Sequence, residues 1–252
     1  MDQTLVAIFE ELLRQGAFDQ PRCTNLLHLL QSIPQTLENG KANLADQAAK
    51  PFAQAALAML TNVRARLNEV SQELKPFLAV DSVAAIERAM TAAIAAFESF
   101  GDWIARHLPQ MSEDSSVGRE GYLYFLRQVA LMPYTPEQLL AMGQQEWERA
   151  LIFEAIARQR AADVPELPLF PDQAAQIARE ADDERTIRRF LEEQNLLTVP
   201  DWARHYRNLP MPAYISPLAD LGIADDLTSP NRLNENGISY VFPPAPTLGY
   251  FA

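Results

Sequence analysis

Imidazole or thiolate chemistry in this chain would have to be assembled from three histidines, His28, His107 and His205, and one cysteine, Cys23, while its 33 carboxylates are abundant on helix faces without marking a site. No two of the histidines have the spacing of a helical zinc motif, and a single thiol cannot build a thiolate cluster. Asp201 and His205 stand four apart and would share a face if helical. That spacing suits a weak metal site, but a capped surface ion pair accounts for it more simply. There is no glycine-rich phosphate loop and no Gly-x-Ser-x-Gly elbow. Cys23 has no second group beside it in sequence to make it a nucleophile, so it reads as a small core residue. No catalytic or metal-ligating residue is assigned, and no cofactor is expected in this chain.

The elements that would position any site are bounded by composition. With 252 residues, 48% of them hydrophobic, the chain can bury a sizeable core. Its 33 acidic and 21 basic residues give a formal charge of -12, a field that repels phosphate backbones and anionic headgroups. Nucleic acid and membrane surfaces are excluded as partners on that ground. The most apolar stretch, Ala92 to Phe97, is far shorter than the ~20 residues of a spanning helix. Met1 is followed by Asp2 and a helically spaced apolar face, not by a basic region and a continuous apolar run. A cytoplasmic location is the expectation.

Helical periods dominate. Leu5, Phe9, Leu12 and Leu13 form one stripe, and Leu57, Leu60, Leu67, Val70 and Leu74 another, bounded by Pro51 and Pro76. Asp81 offers an N-cap to a helix reaching about Leu108, with Val83, Ile86, Met90, Ile94 and Phe97 on one side. At 1.5 Å per residue it would be about 40 Å long.

The most strongly marked helix start lies within "VGREGYLYFLRQVALMPYTPEQLLAMGQQEWERA" (117–150). Thr135 and Gln138 make a capping-box pattern, Pro136 takes the first helical position, and Glu137 suits the positive end of the helix dipole. Leu139, Met142, Trp147, Leu151 and Ile156 are then expected to form the packing face. A shorter helix before it would pack Tyr122, Phe125, Leu126 and Val129 against the next, giving a helical hairpin.

"DDERTIRRFLEEQNLL" (182–197) reads as a short helix packing through Ile187, Phe190 and Leu191, between proline-marked loops at 164–171 and 210–217. Beyond Pro217 the helical period disappears. One short β-like run, Ile238 to Phe242, alternates Ile238, Tyr240 and Phe242 with Ser239 and Val241 before Pro243 and Pro244 end it. The expected fold is therefore all-α, a mainly helical array with at most one or two short strands near the C-terminus. It is read as a single helical domain over 1–252, made up of a long-helix layer at 1–110, a capped hairpin with short helices at 111–216, and an irregular tail with a candidate edge strand at 217–252.

Three segments, "IPQTLENGKANL" (33–44), the 117–150 stretch and "DDLTSPNRLNENGISYVFPPAPTLGYF" (225–251), together resemble the bacterial domain-of-unknown-function 885 proteins. The central segment is the most specific, with Gly118, Tyr122, Leu126, Thr135, Pro136, Glu137, Gly143, Glu146 and Arg149 where the family's pattern has them. The family is similar to helical zincin metallopeptidases, and its proteins carry a His-x-x-x-Pro-Gly-His motif that resembles the metal-binding helix of zinc peptidases. That motif does not occur within 1–252, so the resemblance transfers no ligand and no catalytic glutamate. It implies the N-terminal, non-catalytic helical portion of a longer, zinc-dependent hydrolase, with zinc held by a missing C-terminal half.

Two functions stay open at this point. One is a part that helps form a peptidase's substrate cleft, with Tyr240, Phe242 and Tyr250 as cleft residues along a strand that a peptide substrate could pair with. The other is a helical protein- or peptide-interaction module without enzymatic role. If the tail is a cleft wall whose cover is missing, its aromatic residues predict self-association.

Overall fold

The computed structural model describes residues 2–165, 170–198, 200, 205–222, 225–226 and 236–242. It divides into two compact units, one made of Met1–Glu113 with Phe170–Ala252 and the other of Asp114–Leu169. The helical expectation holds: eight α-helices and three short strands are found among the described residues.

In the first unit, α1 (Ala7–Leu13) continues a π turn at Asp2–Val6, and α2 spans Gln20–Leu44. α2 is not among the helices expected from periodicity, although its start is well marked. The Asp19 side chain accepts from Arg22 N at 3.0 Å, and Pro21 occupies the first turn. Cys23, Leu26, Leu30, Ile33 and Leu37 then bury at helical intervals. Pro34 lies inside the helix, a position where the lost N–H and ring clash normally argue for a break, and burial of the flanking turns outweighs that cost. Cys23 is the core residue expected of it: it is fully buried, and its thiol donates to Phe18 O at 3.2 Å.

The stripe from Leu57 to Leu74 is not one helix. α3 (Lys50–Met59) and α4 (Val63–Leu74) are separated at Asn62, which adopts the left-handed conformation with φ 55°. Asparagine tolerates that region because its short side chain can hydrogen-bond locally, so the chain turns there without glycine. α5 spans Val83–His107, close to the predicted extent, but Asp81 does not cap it. Val80–Ser82 forms a 3₁₀ turn, Ser82 takes the N-cap position, and no side chain closes the cap. Ile86, Ala89, Met90, Ala93, Ile94, Phe97, Phe100 and Ile104 of α5 are all buried, and with α1, α2, α3 and α4 they form one core.

Arg22 ties α1 to α2. Only 6% exposed, it donates to Gly16 O at 2.6 Å, Glu11 O at 2.9 Å and Leu12 O at 3.3 Å, satisfying carbonyls at the end of α1. Its guanidinium lies 3.6 Å over the Phe18 ring. Burial lowers its pKa against the opposing pull of Glu11.

The tail of this unit adds α8 (Gln173–Glu193) and a three-stranded sheet ordered β1-β3-β2. β1 (Tyr206–Pro210) runs parallel to β3 (Gly237–Val241), and β2 (Asp225–Asp226) pairs antiparallel with Ile238 and Ser239. The run read as an edge strand is thus the central strand. β1, which precedes the predicted tail, carries Pro210. Gly237 N donates to His205 O at 3.0 Å and Met211 N to Val241 O at 3.1 Å, so alternate residues 205, 207, 209 and 211 bond toward β3. Pro210 falls in the phase facing away, where its missing N–H costs no ladder bond.

α8 also departs from expectation. Asp172 caps it by accepting from Ala175 N at 2.7 Å, so it starts nine residues before the segment predicted. It bears no buried residue; of the three residues expected to pack, Ile187 and Phe190 are exposed and Leu191 is half-buried. Its half-buried positions are largely polar: Gln173, Gln176, Glu180, Asp183, Glu184 and Arg188, together with Ala175, Ile177 and Leu191.

In the second unit, α6 (Gly118–Tyr124) passes into a π turn at Phe125–Val129, and α7 spans Pro136–Arg160. Gly118 has φ 67°, the left-handed region in which glycine is unstrained. The capping box is complete: Gln138 N donates to Thr135 Oγ1 at 3.3 Å and Thr135 N to Gln138 Oε1 at 2.9 Å. The packing expectation fails. Of the expected contacts in the preceding segment only Leu126 is buried, while Tyr122, Phe125 and Val129 are exposed, and α7 bears no buried residue.

Candidate functional site

The cleft residues proposed from the sequence fall on β3 and beyond. Ile238 is buried and Tyr240 half-buried against the core, where the Tyr240 phenol acts electrostatically on Arg22. Phe242, just past the strand, is 51% exposed. Val241, of opposite parity, is also buried, so both faces of β3 are covered. Tyr250 lies outside the described residues. Along Ile238 and Ser239 the backbone already pairs on both sides, so no edge is vacant there for an incoming peptide.

The sheet is held in place by polar side chains. Gln15 Nε2 donates to Asn236 O at 2.8 Å, and Asn236 Oδ1 accepts from His205 N at 3.1 Å, joining the loop after α1 to both long strands. From α8, Gln173 Nε2 donates to Val241 O at 2.6 Å. His205 has an acidic partner, but it is Glu184, whose Oε1 lies 3.1 Å from Nδ1. Asp201 lies outside the described residues. Burial raises the Glu184 pKa, but hydrogen bonds from His205 and Arg188 outweigh it and leave the net shift downward. One turn earlier, Glu180 Oε2 is buried without a hydrogen-bond partner. Among the described residues no three His, Cys, Asp or Glu side chains are grouped so as to hold a metal ion. Nor is any helix of the described residues long and apolar enough to cross a membrane.

A groove of about 790 Å³ opens where α4 meets α5. Its floor comes from Leu57, Leu60, Val63 and Phe97, and its polar walls from Asn62, Arg64, Asn68, Glu98 and Asp102. Asn62, in the left-handed turn between α3 and α4, is among its lining residues. Arg64 forks onto Glu98 through Nε and a terminal nitrogen, and this hydrogen bonding holds the Glu98 carboxyl below its ordinary pKa. Sequence reading missed the groove because it carried one helical stripe through Asn62. The spacing of Glu98 and Asp102, four apart on a helix, was the available signal.

The second unit offers a surface instead of a cavity. Successive residues of a helix lie 100° apart, so Leu140, Trp147 and Leu151 form one stripe on α7, and Met142, Ile152, Phe153 and Ile156 form another on the opposite side. All seven are exposed, Leu140 to 75% and Trp147 to 64%. Between the stripes run Glu137, Gln144 and Glu148 on one side and Glu146 on the other.

No curated protein and no solved structure matches the chain. A sequence family does, described as bacterial protein of unknown function (DUF885), and the match covers residues 4–205. It takes in α1 to α8 and ends at His205, before β1, β2, β3 and the candidate cleft residues. With most of its length matched, including the capped start of α7 that carried the resemblance, the chain belongs to the DUF885 family of bacterial proteins.

Proposed function

We propose that this chain is the helical, non-catalytic portion of a zinc-metallopeptidase-like hydrolase. It presents α7 to a second polypeptide segment that supplies the metal and completes a peptide cleft. The observation that carries this reading is α7: twenty-five residues, apolar on two opposite sides and without a buried residue. A helix apolar on both sides is of the kind normally buried, and water on both stripes leaves a large unfavourable contact. The covering segment would carry the His-x-x-x-Pro-Gly-His motif implied by the resemblance, and its zinc would activate water for amide hydrolysis. Residues 1–252 would contribute shape and support.

The test supplies a segment containing that motif as a separate polypeptide. Expected are a one-to-one complex by light scattering, a blue shift in tryptophan emission that Trp147→Phe removes, and chelator-sensitive peptide cleavage by the complex alone. Failure to associate, or association that leaves Trp147 in water, overturns the proposal. Association that covers Trp147 without hydrolysis identifies the alternative, an interaction module. The chain alone reports on the tail in the same measurement: if Phe242 drives self-association, Phe242→Ser lowers the mass. That change is cleaner than deleting 236–252, which would remove buried Ile238 and Val241.

A further inference from the structure

We propose that the groove between α4 and α5 binds an aliphatic ammonium, an amine carried on a short apolar stem. The inference is independent of the function proposed above, since every residue lining the groove lies within Leu57–Asp102.

The charges in the walls decide the sign of the ligand. Arg64 and Glu98 neutralise each other across the groove. Asp102 stands one turn further along α5, and its carboxylate has no hydrogen bond or ion pair among the described residues; Arg106 of the same helix bonds the Asp102 backbone oxygen instead, at 3.1 Å. The walls therefore carry one uncompensated negative charge. An anion would meet that charge and find the lining's one cation, Arg64, already engaged.

The remaining polar groups suit an N–H donor. Asn62 holds the N-cap position of α4, yet its side chain makes no capping bond, so its amide oxygen is available to a ligand. The Asn68 amide lies along the same wall. Below them, the edges of Leu57 and Leu60 offer apolar contact to a stem whose charged end stays near water. The groove combines apolar lining with convergent polar groups, the usual composition of a small-ligand site.

Lysine side chains and free alkylamines share this chemistry, and the experiment separates them. N-acetyl-lysine amide, n-butylamine and the uncharged N-acetyl-norleucine amide are titrated into the whole chain while the side-chain amide signals of Asn62 and Asn68 are followed by NMR. Both amines are expected to shift those signals with millimolar dissociation constants, the range for ligands of this size. Tighter binding of the lysine derivative points to peptides as the source, and tighter binding of butylamine to free amines. Asp102→Asn should weaken binding about three- to fivefold, the scale of an exposed ion pair. Gly101→Leu, whose side chain would extend toward Leu60 and fill the groove, should abolish it. Equal binding of the norleucine derivative, unchanged affinity in Asp102→Asn, or absence of shifts at Asn62 and Asn68 overturns the assignment.

Discussion

α5 and α7 are each twenty-five residues long, and their endings and surroundings are inverted. α7 has every local start signal: a closed capping box, proline in the first turn and Glu137 at the positive end of the dipole. α5 has none of these, and its N-cap Ser82 makes no side-chain cap bond. Yet α5 buries eight residues and α7 none. The difference shows that start signals and burial are separate sources of helix stability. A helix in the core forms because its apolar face is removed from water, at about 1.5–3 kcal/mol per large side chain. A helix without that support depends on caps and propensity, and α7 is furnished accordingly.

Removal of a large side chain should give the widest separation between the two helices. Phe97→Ala in α5 leaves a cavity in the core and is expected to cost about 3–5 kcal/mol in denaturant unfolding. Phe153→Ala in α7 should stay within about 0.5 kcal/mol, as exposed substitutions usually do. A comparable loss in both would show that α7 shares a packed core in solution, and the contrast would fall.

Caps should give a smaller but cleaner separation, because the same chemistry is removed from two settings. Asp19→Ala at the start of α2 is expected to lower global stability by about 1 kcal/mol, since α2 belongs to the core. Thr135→Ala removes a similar local stabilisation from α7, but the loss should appear in faster amide exchange over 136–140, with the global midpoint unmoved. A midpoint shift of equal size in both variants would contradict the separation.

The smallest expected effect is electrostatic. Glu137 is held at a pKa of about 2, first by its hydrogen bond with Arg119 and then by a backbone hydrogen bond at the helix start, against an ordinary value of 4.5. The folded value is the lower one, so the pairing favours the folded second unit fully above the ordinary value and is lost as pH falls through about 2. Carboxyl NMR should place the Glu137 titration near 2, and Arg119→Met should return it toward 4.5. Because both groups are open to solvent, the shift should also shrink in molar salt. A titration that stays low in Arg119→Met would assign the effect to the helix start alone.

The contrast also explains which parts of the molecule were legible. Thr135, Pro136 and Gln138 located the start of α7 correctly, because a capping box is satisfied by residues three apart and needs no distant partner. The stripe through Leu67, Val70 and Leu74 was right as a buried face, whereas the break at Asn62 was hidden, since asparagine is compatible with helix and with the left-handed turn alike. Asp81 looked like a cap, but the Val80–Ser82 turn shifted the start of α5. Pro34 concealed nothing structural: α2 passes through it because both flanks are buried.

What the sequence determined by itself is the helical class, the position of the best-capped helix, the apolar faces of α1, α4 and α5, and a short strand read at 238–242 and found at 237–241. All of these follow from interactions within a few residues or from a regular period. Only the tertiary structure decided that β3 lies between β1 and β2, that Glu184 is the partner of His205, and that the apolar stripes of α7 stay in water. Nor could the sequence show that Glu98 and Asp102 face the turn at Asn62 across a groove. Each of these depends on which distant segment reaches a given face, and a hydrophobic period specifies that a face seeks cover without specifying what supplies it.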